Sequence, residues 1–372
     1  MASKNTNTKE LLKKLSETVG VSGFESEIRE VIRKEVENHA DSVETDGMGN
    51  LIAIKKGTKP GPKIMLSAHM DEVGFIVKYI DRDYINFTPI GGLDDKILLS
   101  TPVIIHSEKK KLYGAIMAKP PHLQEKEERE QPVKMKAMFI DVGMRLNKTP
   151  DKDGKMELEK LGVKKADPIS YDSRFRELQG DFVAGKSFDN RAGCVTVIEA
   201  FKQLKDFSGT VYAVFTAQEE VGLKGARVTA FKINPDVALN VDTTIAGDLP
   251  NITPQECSVE CEKGPAITLL DAQGRGLITT EKVREWLTET AKKDKLAHQI
   301  ELGTDGGTTD ATSITLTREG VPTGLISIPT RGLHSPSEIL SIKDLDGAIE
   351  LAVAAVKSAG IYFQTKSEKP RA

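Results

Sequence analysis

Ile64-Met65-Leu66-Ser67-Ala68-His69-Met70-Asp71-Glu72-Val73, residues 64–73, is an apolar run that stops on a histidine and two acids. A run of this kind reads as a buried strand, and polar residues at its end mark the strand mouth where α/β proteins bind ligands. His69 and Asp71 are two positions apart. In an extended segment they point to the same side, so the carboxylate can fix the ring tautomer while an imidazole nitrogen meets a cation. A single His-x-Asp reads more readily as a satisfied polar pair at a strand end than as a ligand site. Four further stretches, far apart in the chain, decide between the two.

Gly185-Lys186-Ser187-Phe188-Asp189-Asn190-Arg191 runs into Cys194, Val195, Val197, Ile198 and Ala200 at helical spacing, which places Asp189 just before a helix. An aspartate there is also an ordinary N-cap. Val211-Tyr212-Ala213-Val214-Phe215-Thr216-Ala217-Gln218-Glu219-Glu220 is a buried strand leading to adjacent glutamates, whose side chains diverge and can divide two tasks. Asp242 ends the run Val237-Ala238-Leu239-Asn240-Val241, and His334 follows Gly324-Leu325-Ile326-Ser327-Ile328. In an open α/β sheet the carboxyl ends of parallel strands line one crevice, so His69, Asp189, Glu220, Asp242 and His334 are expected to converge there.

The donor chemistry matches two ions. Histidine nitrogen with carboxylate oxygen suits zinc, cobalt or manganese, and the absence of a cysteine donor argues against a closed structural zinc site. Three donors per ion with one carboxylate shared use all five residues. Glu219 is then left unbound beside them, where a spare glutamate serves as general base.

The chain resembles the glutamyl aminopeptidase family of clan MH metallopeptidases, which includes the tetrahedral aminopeptidases and proteins often labelled cellulase M or endoglucanase. The resemblance rests on the five stretches above, on Gln218-Glu219-Glu220-Val221-Gly222 and on His334-Ser335-Pro336. It extends to Gly20-Val21-Ser22-Gly23-Phe24-Glu25, Asp46-Gly47-Met48-Gly49-Asn50-Leu51, Lys119-Pro120-Pro121-His122-Leu123 and Phe139-Ile140-Asp141-Val142-Gly143. It implies an α/β, mixed-sheet, phosphorylase/hydrolase-like catalytic domain interrupted by a small β-rich oligomerisation domain. His69 and Asp242 match the ligands of one metal, Glu220 and His334 those of the other, and Asp189 the bridging carboxylate. Glu219 matches the general base, and Asp71 the residue that orients the first histidine. Zinc or cobalt, short peptides with a free N-terminus, and a homo-oligomer up to a tetrahedral dodecamer are the implied cofactors and partners. The chain departs from the family where an aromatic residue often stands two places before the last histidine; here it is Gly332, a smaller wall for a specificity pocket. Residues 145–165 are also longer and more charged than the family pattern.

Pattern changes mark the domains. Residues 8–39 carry two helical patterns separated by the turn-like Gly20-Val21-Ser22-Gly23, and strands follow at 51–54 and before His69. From 74 to 181 the chain is a series of short β-type runs, at 75–80, 84–87, 103–105 and 136–142, with glycine and proline between them and no metal donor. The expected division is therefore 1–73 with 182–372 as the catalytic domain and 74–181 as the inserted one.

Composition agrees with a folded, two-domain protein. Of 372 residues, 38% are hydrophobic, and 52 basic side chains stand against 55 acidic ones, giving a net charge of −3 with both signs dispersed. That balance offers no electrostatic case for nucleic acid or an anionic membrane. The polar start, the lack of a membrane-length apolar run and three cysteines without a disulfide framework point to the cytoplasm. The charged tract at 124–131 reads as a solvated loop, and His122 as a possible substrate-facing contact. The glycine-rich Gly303-Thr304-Asp305-Gly306-Gly307-Thr308-Thr309-Asp310-Ala311 lacks a phosphate-loop ending. By resemblance it borders the active site, with Asp310 as a candidate polar contact.

Four readings compete on this sequence, one of them a non-catalytic assembly or scaffold protein, which would have no reason to keep Glu219 beside a complete donor set. A metallo-aminopeptidase uses every donor, and a deacylase or amidase of the same clan uses the same water attack on a different amide. A glycosidase such as an endoglucanase needs only two carboxylates flanking the bond and leaves the histidines unexplained.

Overall fold

A computed structural model describes residues 2–145, 150–151, 154–303 and 307–365. Parts of the charged 145–165 segment and Thr304, Asp305 and Gly306 of the glycine-rich loop lie outside the described residues.

The large sheet contains β1 (Ser42–Thr45), β2 (Leu51–Lys56) and β3 (Lys59–His69), the last carrying the apolar run that ends on His69. Six strands follow outside it: β4 (Gly74–Asp81), β5 (Tyr84–Ile90), β6 (Pro102–His106), β7 (Lys111–Met117), β8 (Phe139–Asp141) and β9 (Pro168–Tyr171). The chain returns through β10 (Arg176–Glu177), β11 (Phe182–Gly185), β12 (Ser208–Thr216), β13 (Val237–Ile245), β14 (Ala266–Leu270), β15 (Gln299–Leu302), β16 (Thr323–Arg331) and β17 (Glu338–Ser341). The main order is β1-β2-β12-β3-β13-β16-β17-β11-β10, with β14 and β15 branching from β16. At its centre β12, β3, β13 and β16 are mutually parallel, which brings their carboxyl ends to one edge.

Helices cover both faces, which is why the central strands read as unbroken apolar runs. Along β3, Ile64, Leu66 and Ala68 join a core with Phe201, Trp286 and Leu351, while Met65 points the other way into a cluster with Ala226, Ala230 and Ile314. β12 divides in the same manner, Ala213 and Phe215 to one side and Val214 to the other. The two helical patterns near the start become the helices Ala2–Glu17 and Ser26–Val36.

β4 to β9 close on themselves as a separate six-stranded barrel, which removes their free edges. It has its own core of Phe75, Val77, Ile85, Val103, Ile105, Ile116, Ile140 and Ile169. Phe75 packs edge-on against Phe87 and Tyr171, with ring centroids 5.1 and 5.6 Å apart. The run expected at 136–142 divides into a tight turn at Met135–Ala137 and the short β8. After the barrel the chain rejoins the large sheet at Arg176–Glu177, ahead of the return expected at Phe182.

Candidate metal centre

The five donor residues meet above the parallel strand ends. His69 closes β3 beside Thr216 of β12, and its Nε2 lies 3.2 Å from Asp189 Oδ1 and 3.6 Å from Asp242 Oδ1. His334, in the turn after β16, places its Nε2 3.3 Å from Asp189 Oδ2 and 3.3 Å from Glu220 Oε2. The two oxygens of Asp189 therefore face two different histidines. Asp189 stands at the start of the helix Phe188–Gln203, but its own φ and ψ (−78°, 103°) are not helical, and its side chain turns to the histidines rather than to the helix amides.

The ring orientations follow from the opposite nitrogens. His334 Nδ1 lies 2.8 Å from the Gly92 carbonyl of the barrel, and His69 Nδ1 lies 3.2 Å from the Asp71 carbonyl and 3.5 Å from its carboxylate. Donation from Nδ1 leaves both Nε2 atoms free to bind a cation. The Asp71 carboxylate does more than orient the ring: it accepts Ser22 Oγ at 2.6 Å and the backbone amides of Glu219 and Glu220 at 3.0 and 3.2 Å.

Sequence reasoning missed the residues that hold this loop. Glu25 Oε1 accepts the Gln218 amide at 3.2 Å, while Asn50 accepts the Ala217 amide at 2.8 Å and donates to the Gly225 carbonyl at 3.1 Å. Glu338, the first residue of β17, is buried and accepts the Asp189 and His334 amides, each at 2.9 Å. The only advance signal for Glu25 and Asn50 was their place in the motifs, and Glu338 carried none. Ser187, Gln218 and His334 all have left-handed backbones (φ 60°, 58° and 60°), a conformation that costs a non-glycine residue energy and clusters at functional sites.

Charge supports a cation here. Burial disfavours a charged His69, yet Glu219, Asp242 and Asp189 overcome it and raise its pKa well above the ordinary value. Burial likewise opposes charge on His334, but Asp189 and Glu220 lift it to about 10. Burial and the Asp189 charge push Glu220 up to about 8, and burial raises Glu219 well above the carboxylate range against the pull of His69. Asp189 is held low because its two histidine bonds outweigh burial. Glu220 Oε1 is buried without a hydrogen-bond partner. Carboxylates crowded around two histidines, one with an orphaned oxygen, form a donor set that fits divalent cations. Ligand atoms of His69, Asp189 and Glu220, and of His69, Glu219 and Asp242, lie close enough together to hold an ion.

The centre opens into a cavity of about 790 Å³, within the range of small-ligand sites. Leu333 and His334 line it, whereas Gly332 is a left-handed turn residue (φ 71°) outside the lining. Asp310 is fully buried beneath the site, where its Oδ2 accepts the Thr216 hydroxyl at 2.5 Å, so it is not a wall contact. His122 lies exposed in the short turn Pro121–Leu123. Cys194, Cys257 and Cys261 are free thiols, and no described helix is long and apolar enough to cross a membrane.

Comparison with known proteins places this architecture. A putative aminopeptidase of Acetivibrio thermocellus is 40% identical over 93% of this chain and 98% of its own length. A lysyl aminopeptidase of Pyrococcus furiosus is 34% identical over 94% and 96%. Among solved structures, a TET aminopeptidase of Thaumarchaeota archaeon SCGC AB-539-E09 superposes with a TM-score of 0.88 at 38% identity, covering 95% of this chain and 96% of that one. The TET1 peptidase of Pyrococcus horikoshii, which can assemble into a tetrahedron or a large octahedral shell, matches with a TM-score of 0.81 at 32% identity over 94% and 99%. The model of the M42 glutamyl aminopeptidase family matches residues 49–351, and the chain belongs to that family of peptide hydrolases.

Proposed function

We propose that the protein is a dinuclear metal-dependent aminopeptidase that removes the N-terminal residue of short peptides. The observation that carries this reading is Asp189, whose two oxygens face His69 and His334 from opposite sides. His69 and Asp242 would hold one ion, Glu220 and His334 the other, with Asp189 shared. Zinc or cobalt would suit these donors and, when bound, would acidify water and polarise the scissile carbonyl. Glu219 lies within reach of His69 and Asp242, but in this reading it is left off both ions, and its role is to accept the proton of the attacking water and return it to the departing amine. Asp71 positions this machinery through His69 and the two glutamate amides.

The barrel is the proposed oligomerisation domain. Tyr79, Tyr113 and Leu123 in the inserted region are 51%, 63% and 69% exposed, which is apolar surface of the kind that subunit contacts cover. A TET-like assembly in the cytoplasm, acting on peptides and not on nucleic acid or membrane, is the corresponding proposal.

The test is a panel of free-amine aminoacyl peptides beside their N-acetylated forms, with and without chelator. An aminopeptidase cleaves only the free-amine series and loses that activity on chelation. Equal cleavage of acetylated peptides would favour a deacylase or amidase, and metal-independent cleavage of cellulose would favour an endoglucanase.

A further inference from the structure

Beyond the metal ligands, the cavity has a wall of distinctive chemistry. Glu301 of β15 is 6% exposed and accepts the hydroxyls of Thr244 and Thr268 on its two carboxylate oxygens. Thr268 Oγ1 lies 2.7 Å from Ser327 Oγ. Because Thr268 gives its one hydroxyl proton to Glu301, Ser327 must be the donor in that second bond. The protons of all three hydroxyls are thus directed along paths that end on the Glu301 carboxylate, a network organised around an anion. Asp271 adds a second buried carboxylate to the cavity lining. Among the described residues, no lysine or arginine lines the cavity.

The distance from the metal centre suits a long side chain. Asp242 and Thr244 are two residues apart on β13, so they share a face and are separated by about 7 Å along the strand. Glu301 is bonded to Thr244 itself. A substrate whose amino group is held near Asp242 therefore meets Glu301 at the reach of a four-carbon stem bearing an ammonium. A carboxylate has about four acceptor positions, and two hydroxyls leave room for a cation's donors.

We propose that Glu301 makes this wall an acceptor for a cationic side chain, so that the enzyme removes N-terminal lysine or arginine in preference to apolar or acidic residues. The proposal rests on the aminopeptidase reading above. An N-terminal glutamate would meet two buried carboxylates and no cation, and a norleucyl side chain would fill the space but bring no counter-charge to the hydroxyl-bonded Glu301.

The experiment compares kcat/KM for lysyl, arginyl, norleucyl and glutamyl 4-nitroanilides on the metal-loaded enzyme and on Glu301→Gln. The wild type should favour lysyl over norleucyl by at least roughly tenfold, with glutamyl poorest, and the variant should lose most of that ratio. A ratio is unaffected by the fraction of folded variant. Free L-lysine and L-norleucine, tested as competitors on the wild type, give a measure that needs no variant, and lysine should inhibit at the lower concentration. Norleucyl hydrolysis without a lysyl preference, or a lysyl preference unchanged in Glu301→Gln, would overturn the pocket assignment while leaving the aminopeptidase standing. No hydrolysis of any of the four substrates would overturn both.

Discussion

Glu338 accepts the backbone amides of two proposed ligand residues, Asp189 and His334, that come from separate elements. Glu338→Gln replaces one accepting oxygen with a donor that cannot serve an N–H, leaving one buried amide unpaired at a cost of about 1–3 kcal/mol. The expected outcome is a lower unfolding midpoint together with faster metal loss on dialysis, and unchanged metal retention would rule out the positioning role. The adjacent glutamates separate chemistry from binding. Glu219→Gln should keep its metal while turnover falls by about 10²–10⁴-fold, the scale of a general base. Glu220→Gln should lose occupancy of one ion, because a neutral amide oxygen is a poorer ligand than a carboxylate. Metal analysis and kinetics on both variants would reveal the roles reversed if the first lost metal and the second kept it but was inactive. The convergence of the five proposed ligands was legible in sequence because each ends or follows an apolar run or opens a helix. Glu338 was not, because its contribution runs through backbone amides that approach it only once β11 and β17 pair, with Gly185 opposite Glu338.

At the scale of elements, the central strands announced themselves as apolar runs because helices bury both their faces. The barrel was legible only as a series of short β-type segments. Its closure depends on pairings between distant strands, such as β4 with β9, that no local pattern encodes. β8, with three residues, is too short for periodicity to define. One pH dependence belongs to the barrel. His106 of β6, hydrogen-bonded to Ser170 Oγ at 2.8 Å, is pushed by burial from 6.5 down to about 4. Between those values the unfolded chain takes up a proton that the folded barrel refuses, so stability present above pH 6.5 is lost as pH falls toward 4. Denaturant midpoints measured across that window should fall less steeply in His106→Gln than in the wild type. Parallel curves would show that His106 does not carry the effect.

For the molecule as a whole, the barrel and the large sheet have separate cores, but the barrel also supplies the Gly92 carbonyl that orients His334. Replacing the inserted region by a short linker should therefore leave a folded, monomeric catalytic unit that retains its second ion poorly and hydrolyses peptides weakly. Sedimentation showing that the intact protein is already monomeric at micromolar concentration would remove the assembly role from the barrel. The wider claim is that five donors around a shared Asp189 hold two ions that peptide hydrolysis requires. Its most direct test is to strip the protein with chelator, verify the absence of metal, and titrate zinc or cobalt back while following hydrolysis of a free-amine peptide. Activity should be negligible at the start and reach a plateau at two equivalents per chain, with Asp189→Ala retaining neither ion well. Full activity in the verified metal-free protein, or a plateau at one equivalent, would contradict it.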